Sequence, residues 1–180
     1  MDIFCQIKEK LENQIIYETN NFYLLHDGFP LLEGHLLIIP KKHILCFLEL
    51  EKDNKLKQEY LKLKNKVKEF LKENYINPVF FEHGKIAQTV LHAHLHALPT
   101  KVSLKNELDK IGLAMYNPKI PYLYYEENGK KYYYQVKKKI DDGFLHNKYA
   151  QKLNRPKQGI SRAMKLDNWI LKVKEKWRKL

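Results

Sequence analysis

The alternation of apolar and polar positions divides the chain into short strands, one long helix and a more polar tail. Residues 3–12 read as a short helix or loop lead-in. Residues 14–18 and 22–26 predict two strands joined by a turn at Asn20-Asn21. Residues 34–40 (GHLLIIP) form a short apolar run ended by proline, a strand with a hard stop. Over residues 51–75, Leu56, Tyr60, Leu63, Val67 and Phe70 recur at steps of 4, 3, 4 and 3 with Lys and Glu between them. That spacing predicts a helix with one apolar stripe. The stripe is expected to pack on a sheet; a coiled coil is the alternative, disfavoured by the few heptads available. Asn77-Pro78 ends the helix and residues 78–82 begin another strand. Residues 90–98 (VLHAHLHAL) alternate strictly. A strand there would put His92, His94 and His96 on one face and Ala93, Leu95 and Ala97 on the other.

Beyond residue 100 the composition changes. Residues 122–126 and 131–136 flank Asn128-Gly129, a strong hairpin signal. From Ser161 the tail reads as an amphipathic helix carrying Leu166, Ile170, Val173 and Trp177 at steps of 4, 3 and 4. Residues 137–139 and 154–159 read as exposed connections, and there are no internal repeats. The expected organisation is a catalytic unit over 1–100 with a basic, Tyr-rich extension over 101–180 packed on it.

Charge sharpens that division. The chain has 180 residues, enough for one domain with a core plus an extension. Lys and Arg number 33 against 21 Asp and Glu, a net charge of +12. Residues 1–100 hold 13 basic and 13 acidic side chains; residues 101–180 hold 20 and 8, so the whole excess sits in the extension. Such a field favours polyanions, nucleic acid among them, although a solvated lysine-rich surface would have the same composition. Cys5 and Cys46 are too few for a disulfide framework. No apolar stretch approaches the ~20 residues of a membrane span, and the first residues lack the apolar core of a signal peptide. A cytoplasmic location with no membrane partner is expected.

Three histidines at alternate positions admit two chemistries. Two of them could hold a zinc ion. Alternatively, one could be a nucleophile toward phosphorus, because imidazole is neutral near pH 7 and leaves readily afterwards. The triplet alone leaves both open. Its context is more specific. Gln88-Thr89-Val90-Leu91-His92-Ala93-His94-Leu95-His96-Ala97-Leu98 resembles the signature of the histidine-triad (HIT) superfamily, in its Hint and fragile-histidine-triad branches. Gly34-His35-Leu36-Leu37-Ile38-Ile39-Pro40-Lys41-Lys42-His43 resembles the second block of that family, and Ile3-Phe4-Cys5, Ile15-Ile16-Tyr17-Glu18 and His26-Asp27 its beginning. The likeness spans about residues 2–100 and weakens after Thr100.

The resemblance implies an α+β fold: an antiparallel sheet of about five strands with one long helix, to which the hairpin and last helix add. It implies a symmetric homodimer. It also implies a nucleotide hydrolase or transferase that cleaves at the α-phosphate of dinucleoside polyphosphates or nucleoside phosphoramidates through a nucleotidyl-histidine. His94 would be the nucleophile, with His92 and His96 orienting the site and His96 protonating the leaving group. Gln88 and Thr89 would donate to phosphate oxygens. Asp27 would bind the ribose hydroxyls, and Phe4, Ile7, Leu25 and Leu37 would form the slot for the base. His35 would support the triad from behind. Hydrolysis of capped or 5′-adenylated nucleic acid ends is an alternative motivated by the basic extension, and a non-catalytic nucleotide-binding module is another. Two departures stand out. Some relatives bind zinc through Cys-x-x-Cys near the start, but Asp2 replaces the first cysteine here, leaving Cys5, His43 and His92 with Asp2 as a possible fourth ligand. No cofactor is therefore required and a structural zinc is not expected. Glu82, just before the triad loop, would repel phosphate unless it points away or pairs with Lys85.

Overall fold

The computed structural model describes residues 2–156 and 166–180. A 3₁₀ turn (Ile3–Gln6) and a short helix α1 (Ile7–Lys10) lead into β1 (Ile15–Glu18), β2 (Phe22–His26) and β3 (Leu36–Pro40). Helix α2 (Asn54–Asn74) is followed by β4 (Val79–Gly84) and β5 (Leu95–Leu98). The extension supplies α3 (Lys105–Ile111), β6 (Gly112–Met115), β7 (Tyr122–Glu127), β8 (Lys130–Val136), α4 (Phe144–Lys152) and α5 (Leu166–Trp177).

The eight strands among the described residues join one sheet, in the order β1-β2-β3-β5-β4-β7-β8-β6, and every neighbouring pair is antiparallel. The α+β class is as expected, but the sheet is wider than five strands because the hairpin does not stand apart. β7 pairs with β4 from Phe80↔Glu126 to Gly84↔Tyr122 and carries the sheet into the extension. The hairpin turn follows the sequence signal: Asn128 and Gly129 have φ of 50° and 76°, the left-handed pair that matches strand twist.

Strand periodicity sorts the core into two faces. Phe22, Leu24, Ile38, Phe80, Leu95 and Tyr124 point one way and are buried with Val67 and Phe70 of α2 and with Val173 and Trp177 of α5. Burial of a side chain such as Phe70 contributes about 2–3 kcal/mol. Asp53 caps α2 by accepting from the N–H groups of Lys55 and Leu56. This starts the helix three residues later than its apolar period suggests; Glu51 and Lys52 belong to a preceding 3₁₀ turn (Phe47–Lys52). A buried ion pair, Lys64 Nζ to Glu126 Oε2 at 2.5 Å, ties α2 to β7.

The opposite face is covered in two patches. Phe4, Ile7, Leu25, Leu37 and Ile39 form one, at the β2–β3 end. Phe81, Leu123 and Tyr125, under Leu108 of α3 and Leu145 and Tyr149 of α4, form the other. β5 lies between them, with His96 opposite Leu37 on one side and Phe81 on the other.

The triad segment departs from its expected form. Only Leu95–Leu98 is strand. Before it, the His92 N–H bonds the Val90 carbonyl (2.8 Å) and the Ala93 N–H bonds Ile44 O (2.7 Å), so these groups are withdrawn from the ladder. His92 and His94 therefore sit on a loop, and the three histidines do not share one strand face. The expected start of the last helix at Ser161, and residues 157–159 of the expected connection, lie outside the described residues. No helix among the described residues is long and apolar enough to cross a membrane.

Candidate active site

Between the two apolar patches lies a cavity of about 530 Å³ lined by His94 and His96. His94 is buried, and its Nδ1 lies 2.7 Å from the His92 carbonyl oxygen. A carbonyl can only accept, so Nδ1 carries the hydrogen and Nε2 is left with its lone pair free. Burial, partly offset by that hydrogen bond, lowers the pKa of His94 and keeps the imidazole neutral. Phe4 packs beside the ring, with centroids 5.2 Å apart.

The tautomer of His96 follows from a chain of bonds. The Leu31 N–H donates to Nδ1 of His35 (3.3 Å), so His35 bears its hydrogen on Nε2. Nε2 lies 3.0 Å from Nδ1 of His96. His96, accepting there, presents Nε2–H as a donor. Burial drives both His35 and His96 down to about 3, so both are neutral. Phe81 stacks on the His96 ring at 4.4 Å and 7°, fixing its plane. Asp27 Oδ2 lies 3.4 Å from Nε2 of His35 and from Nδ1 of His96. Its Oδ1 accepts from the Phe29 N–H at 2.8 Å. Burial would raise the Asp27 carboxyl, but the His35 ring, whose Nε2–H lies beside Oδ2, acts the other way and the carboxyl is held below the usual range. The arrangement joins a bare nitrogen, a neutral N–H donor and a buried carboxylate.

The residues expected at the site separate into three groups. Phe4, Leu25, Asp27, Leu37, Thr89, His94 and His96 line the cavity. Ile7 and His35 stand behind it, in the core beneath Phe4 and in the chain that reaches His96. Two residues lie elsewhere. The Gln88 side-chain amide donates to the Leu45 carbonyl at 2.9 Å, which holds it off the cavity wall. His92 turns the other way: Nε2 donates to the Pro40 carbonyl (2.9 Å) and Nδ1 faces Cys5 at 3.7 Å. It serves His94 through its main-chain carbonyl instead.

Glu82 does not face the phosphates. Strand alternation puts it on the α2 face, where its carboxylate accepts from the Phe47 N–H (2.8 Å) and the Tyr122 hydroxyl (2.7 Å). Burial pushes it up to about 7, against those hydrogen bonds. Lys85 pairs with Glu49 instead, at 3.6 Å.

Several lining residues escaped the sequence reading. His83 lies two positions after Phe81, hence on the face of His96, and its Nε2 accepts from the Leu145 N–H at 3.1 Å. Period-2 counting from Phe81 would have found it. Asp142, Gly143, His146 and Asn147 come from the start of α4. Gly143, at φ 67°, takes the left-handed conformation that glycine tolerates. Its N–H donates to the Ala87 carbonyl (2.8 Å) and docks α4 on the triad loop. His146 Nε2 donates to the Phe29 carbonyl (3.0 Å) and its ring stacks on His35 at 5.7 Å. No local sequence signal brings residue 146 to residue 94.

A separate cluster lies behind the triad loop. Asp2, Cys5, His43 and His92 offer donor atoms all within 4.8 Å of one another. Cys5 Sγ is 3.1 Å from Asp2 Oδ2 and 3.4 Å from His43 Nδ1. The His92 Nε2–H is committed to Pro40, which leaves Nδ1 bare toward the cluster, the second-sphere pattern of a metal-ligating histidine. One thiolate, two imidazoles and one carboxylate fit a tetrahedral zinc ion. Asp2, the possible fourth ligand of the sequence reading, lies with the other three donors.

The sequence of the HIT domain family matches residues 8–102, more than half of the chain. An uncharacterized HIT-like protein of Saccharolobus solfataricus is 36% identical over 104 residues, covering 56% of this chain and 74% of its own. Adenosine 5′-monophosphoramidase HNT1 of Saccharomyces cerevisiae is 32% identical over 101 residues, 55% of this chain and 62% of that protein. The crystal structure of a hypothetical histidine triad nucleotide-binding protein from Sulfolobus tokodaii covers 98% of this chain and 92% of its own, with a TM-score of 0.50 at 22% identity, a likeness of fold. Motif, sheet and cavity agree with the family match: this chain belongs to the HIT domain family.

Proposed function

We propose that this protein is a nucleotidyl hydrolase or transferase that works through a covalent nucleotidyl-His94. The observation that carries the reading is the His94 Nδ1 to His92 carbonyl bond, which leaves Nε2 nucleophilic in a cavity shared with His96. Nucleoside phosphoramidates and dinucleoside polyphosphates are the substrate classes. The similarity to a yeast adenosine 5′-monophosphoramidase supports the first.

In the first step, Nε2 of His94 forms a bond to the α-phosphorus while the bond from phosphorus to the leaving group breaks. His96 takes up a second proton with the anionic substrate, its Nδ1–H then facing Asp27 Oδ2 in place of the His35 N–H, and it gives its Nε2 proton to the leaving group. In the second step a water oxygen bonds to phosphorus, the P–N bond breaks, and the proton released by the water returns to His96. Thr89 donates to a phosphate oxygen, and Asp27 accepts from the ribose hydroxyls. Phe4, Leu25 and Leu37 hold the base. Asp2, Cys5, His43 and His92 would hold a zinc ion, which would brace the N-terminal segment against the triad loop; the reaction itself requires no cofactor.

Rapid quenching of the protein with adenosine 5′-phosphoramidate tests this. An acid-labile adenylyl adduct should map to His94 by mass spectrometry. Turnover without an adduct, or an adduct on another residue, would refute it.

A further inference from the structure

Part of the excess positive charge lines a cleft beside the site. A second cavity, of about 550 Å³, opens between the β8–α4 connection and α4. Lys138, Lys139, Lys148 and Arg155 line it, against a single acid, Asp141. Among the described residues none of these four cations has a carboxylate partner, whereas others in the extension do: Lys152 pairs with Glu107 and Lys105 with Asp109, both at 2.6 Å. Arg155 is anchored through Nε on the Leu31 carbonyl at 3.1 Å, which leaves the rest of its guanidinium for a ligand. Lys148 lies over the Phe144 ring at 5.6 Å, so its stem is supported.

This cleft adjoins the His94 cavity. Asn147 lines both, and the consecutive residues Asp141 and Asp142 line one each. We infer that the cleft is the leaving-group site of the enzyme, built to hold a chain of phosphates that continues from the scissile phosphorus. The inference rests on the reading of His94 as the nucleophile. A neutral amine leaving group, as in a phosphoramidate, would not reach the cleft. A polyphosphate or a phosphodiester strand would, and the four cations would meet its charges in turn.

The test is the triple variant Lys138→Gln, Lys139→Gln, Lys148→Gln, which leaves the triad cavity untouched. It is compared with the unaltered protein on adenosine 5′-phosphoramidate, a diadenosine tetraphosphate and a 5′-adenylated oligonucleotide. Three lysine contacts of the exposed type predict about a tenfold loss in kcat/KM on at least one phosphate-chain substrate. On the phosphoramidate the change should stay within about twofold. Loss on the tetraphosphate alone identifies a polyphosphate ligand; loss on the oligonucleotide identifies a strand. For a strand, the slope of log affinity against log salt should also fall by about 2, three phosphates at about 0.7 each. Equal effects on all three substrates, or none, with phosphoramidate hydrolysis intact, would overturn the inference and spare the nucleophile. Failure of the unaltered protein to transfer a nucleotide from any of the three would overturn the reading beneath it, and the inference with it.

Discussion

The first 100 residues and the last 80 contribute to the same cavity in different ways. The first part is electrically balanced and brings His94, His96, His35 and Asp27 together on the triad loop, on β5 and at the adjoining ends of β2 and β3. The second carries the whole net charge and closes the cavity with Asp142, Gly143, His146 and Asn147 from a helix start. The proposed reacting groups thus sit on the part whose sequence has the family motif. The part proposed to meet the rest of the substrate lies largely beyond it. On that reading chemistry and selectivity are separable, and each can be perturbed without the other.

The sharpest way to break that separation is to remove the nucleophile. His94→Ala should lower turnover by roughly 10⁴-fold or more on every substrate, as removal of a covalent nucleophile does. Nucleoside monophosphate binding, measured by calorimetry, should persist through Phe4 and Asp27. Substantial turnover in this variant would move the chemistry elsewhere. His96→Ala should cost less, about 10²–10⁴-fold. The loss should shrink for substrates whose leaving group is already acidic. A loss independent of leaving-group pKa would assign His96 to positioning alone.

Two stability measurements probe the seam between the parts. Lys64 and Glu126 are both buried; burial pushes Glu126 up, and the charge of Lys64 more than offsets it. Lys64→Met leaves that carboxylate unpaired and should cost about 3–5 kcal/mol in chemical denaturation. Adding Glu126→Gln should recover most of it. Additive losses would show that the pair does not couple the helix to the extension. Glu82 is the smaller case. Its carboxyl is raised to about 7 from an ordinary 4.5, so its contribution is fully present below about pH 4.5 and is lost as pH rises through 7. Glu82→Gln should gain on the unaltered protein between pH 5 and 8, by up to about 3 kcal/mol. Parallel stability curves would mean that the carboxylate is solvated after all.

Legibility in the sequence followed the range of the forces involved. β2 and the hairpin turn matched closely, because alternation and Asn128-Gly129 act within a few residues. The strand at the triad was overextended because the alternation of VLHAHLHAL continues through residues whose N–H groups are taken by Val90 and Ile44. Helices α3 and α4 were missed; their stripes are short, and α4 is positioned by Ala87 and His83, far away in sequence. The same distance hid His146. The sequence offers Asp2 only as a possible ligand, because where the 3₁₀ turn delivers it beside Cys5, His43 and His92 depends on the fold and not on its identity alone.

Docking of α4 on the triad loop through Gly143 and Leu145 has a consequence for assembly. The cavity wall is tethered to the floor it covers, so its effective concentration is set by chain length and not by the number of molecules in solution. The wall should stay closed at any dilution at which the chain stays folded. A single proteolytic cut between β8 and α4 would turn this closure into a bimolecular encounter, and occupancy of the cavity would then depend on how much of the released fragment is present.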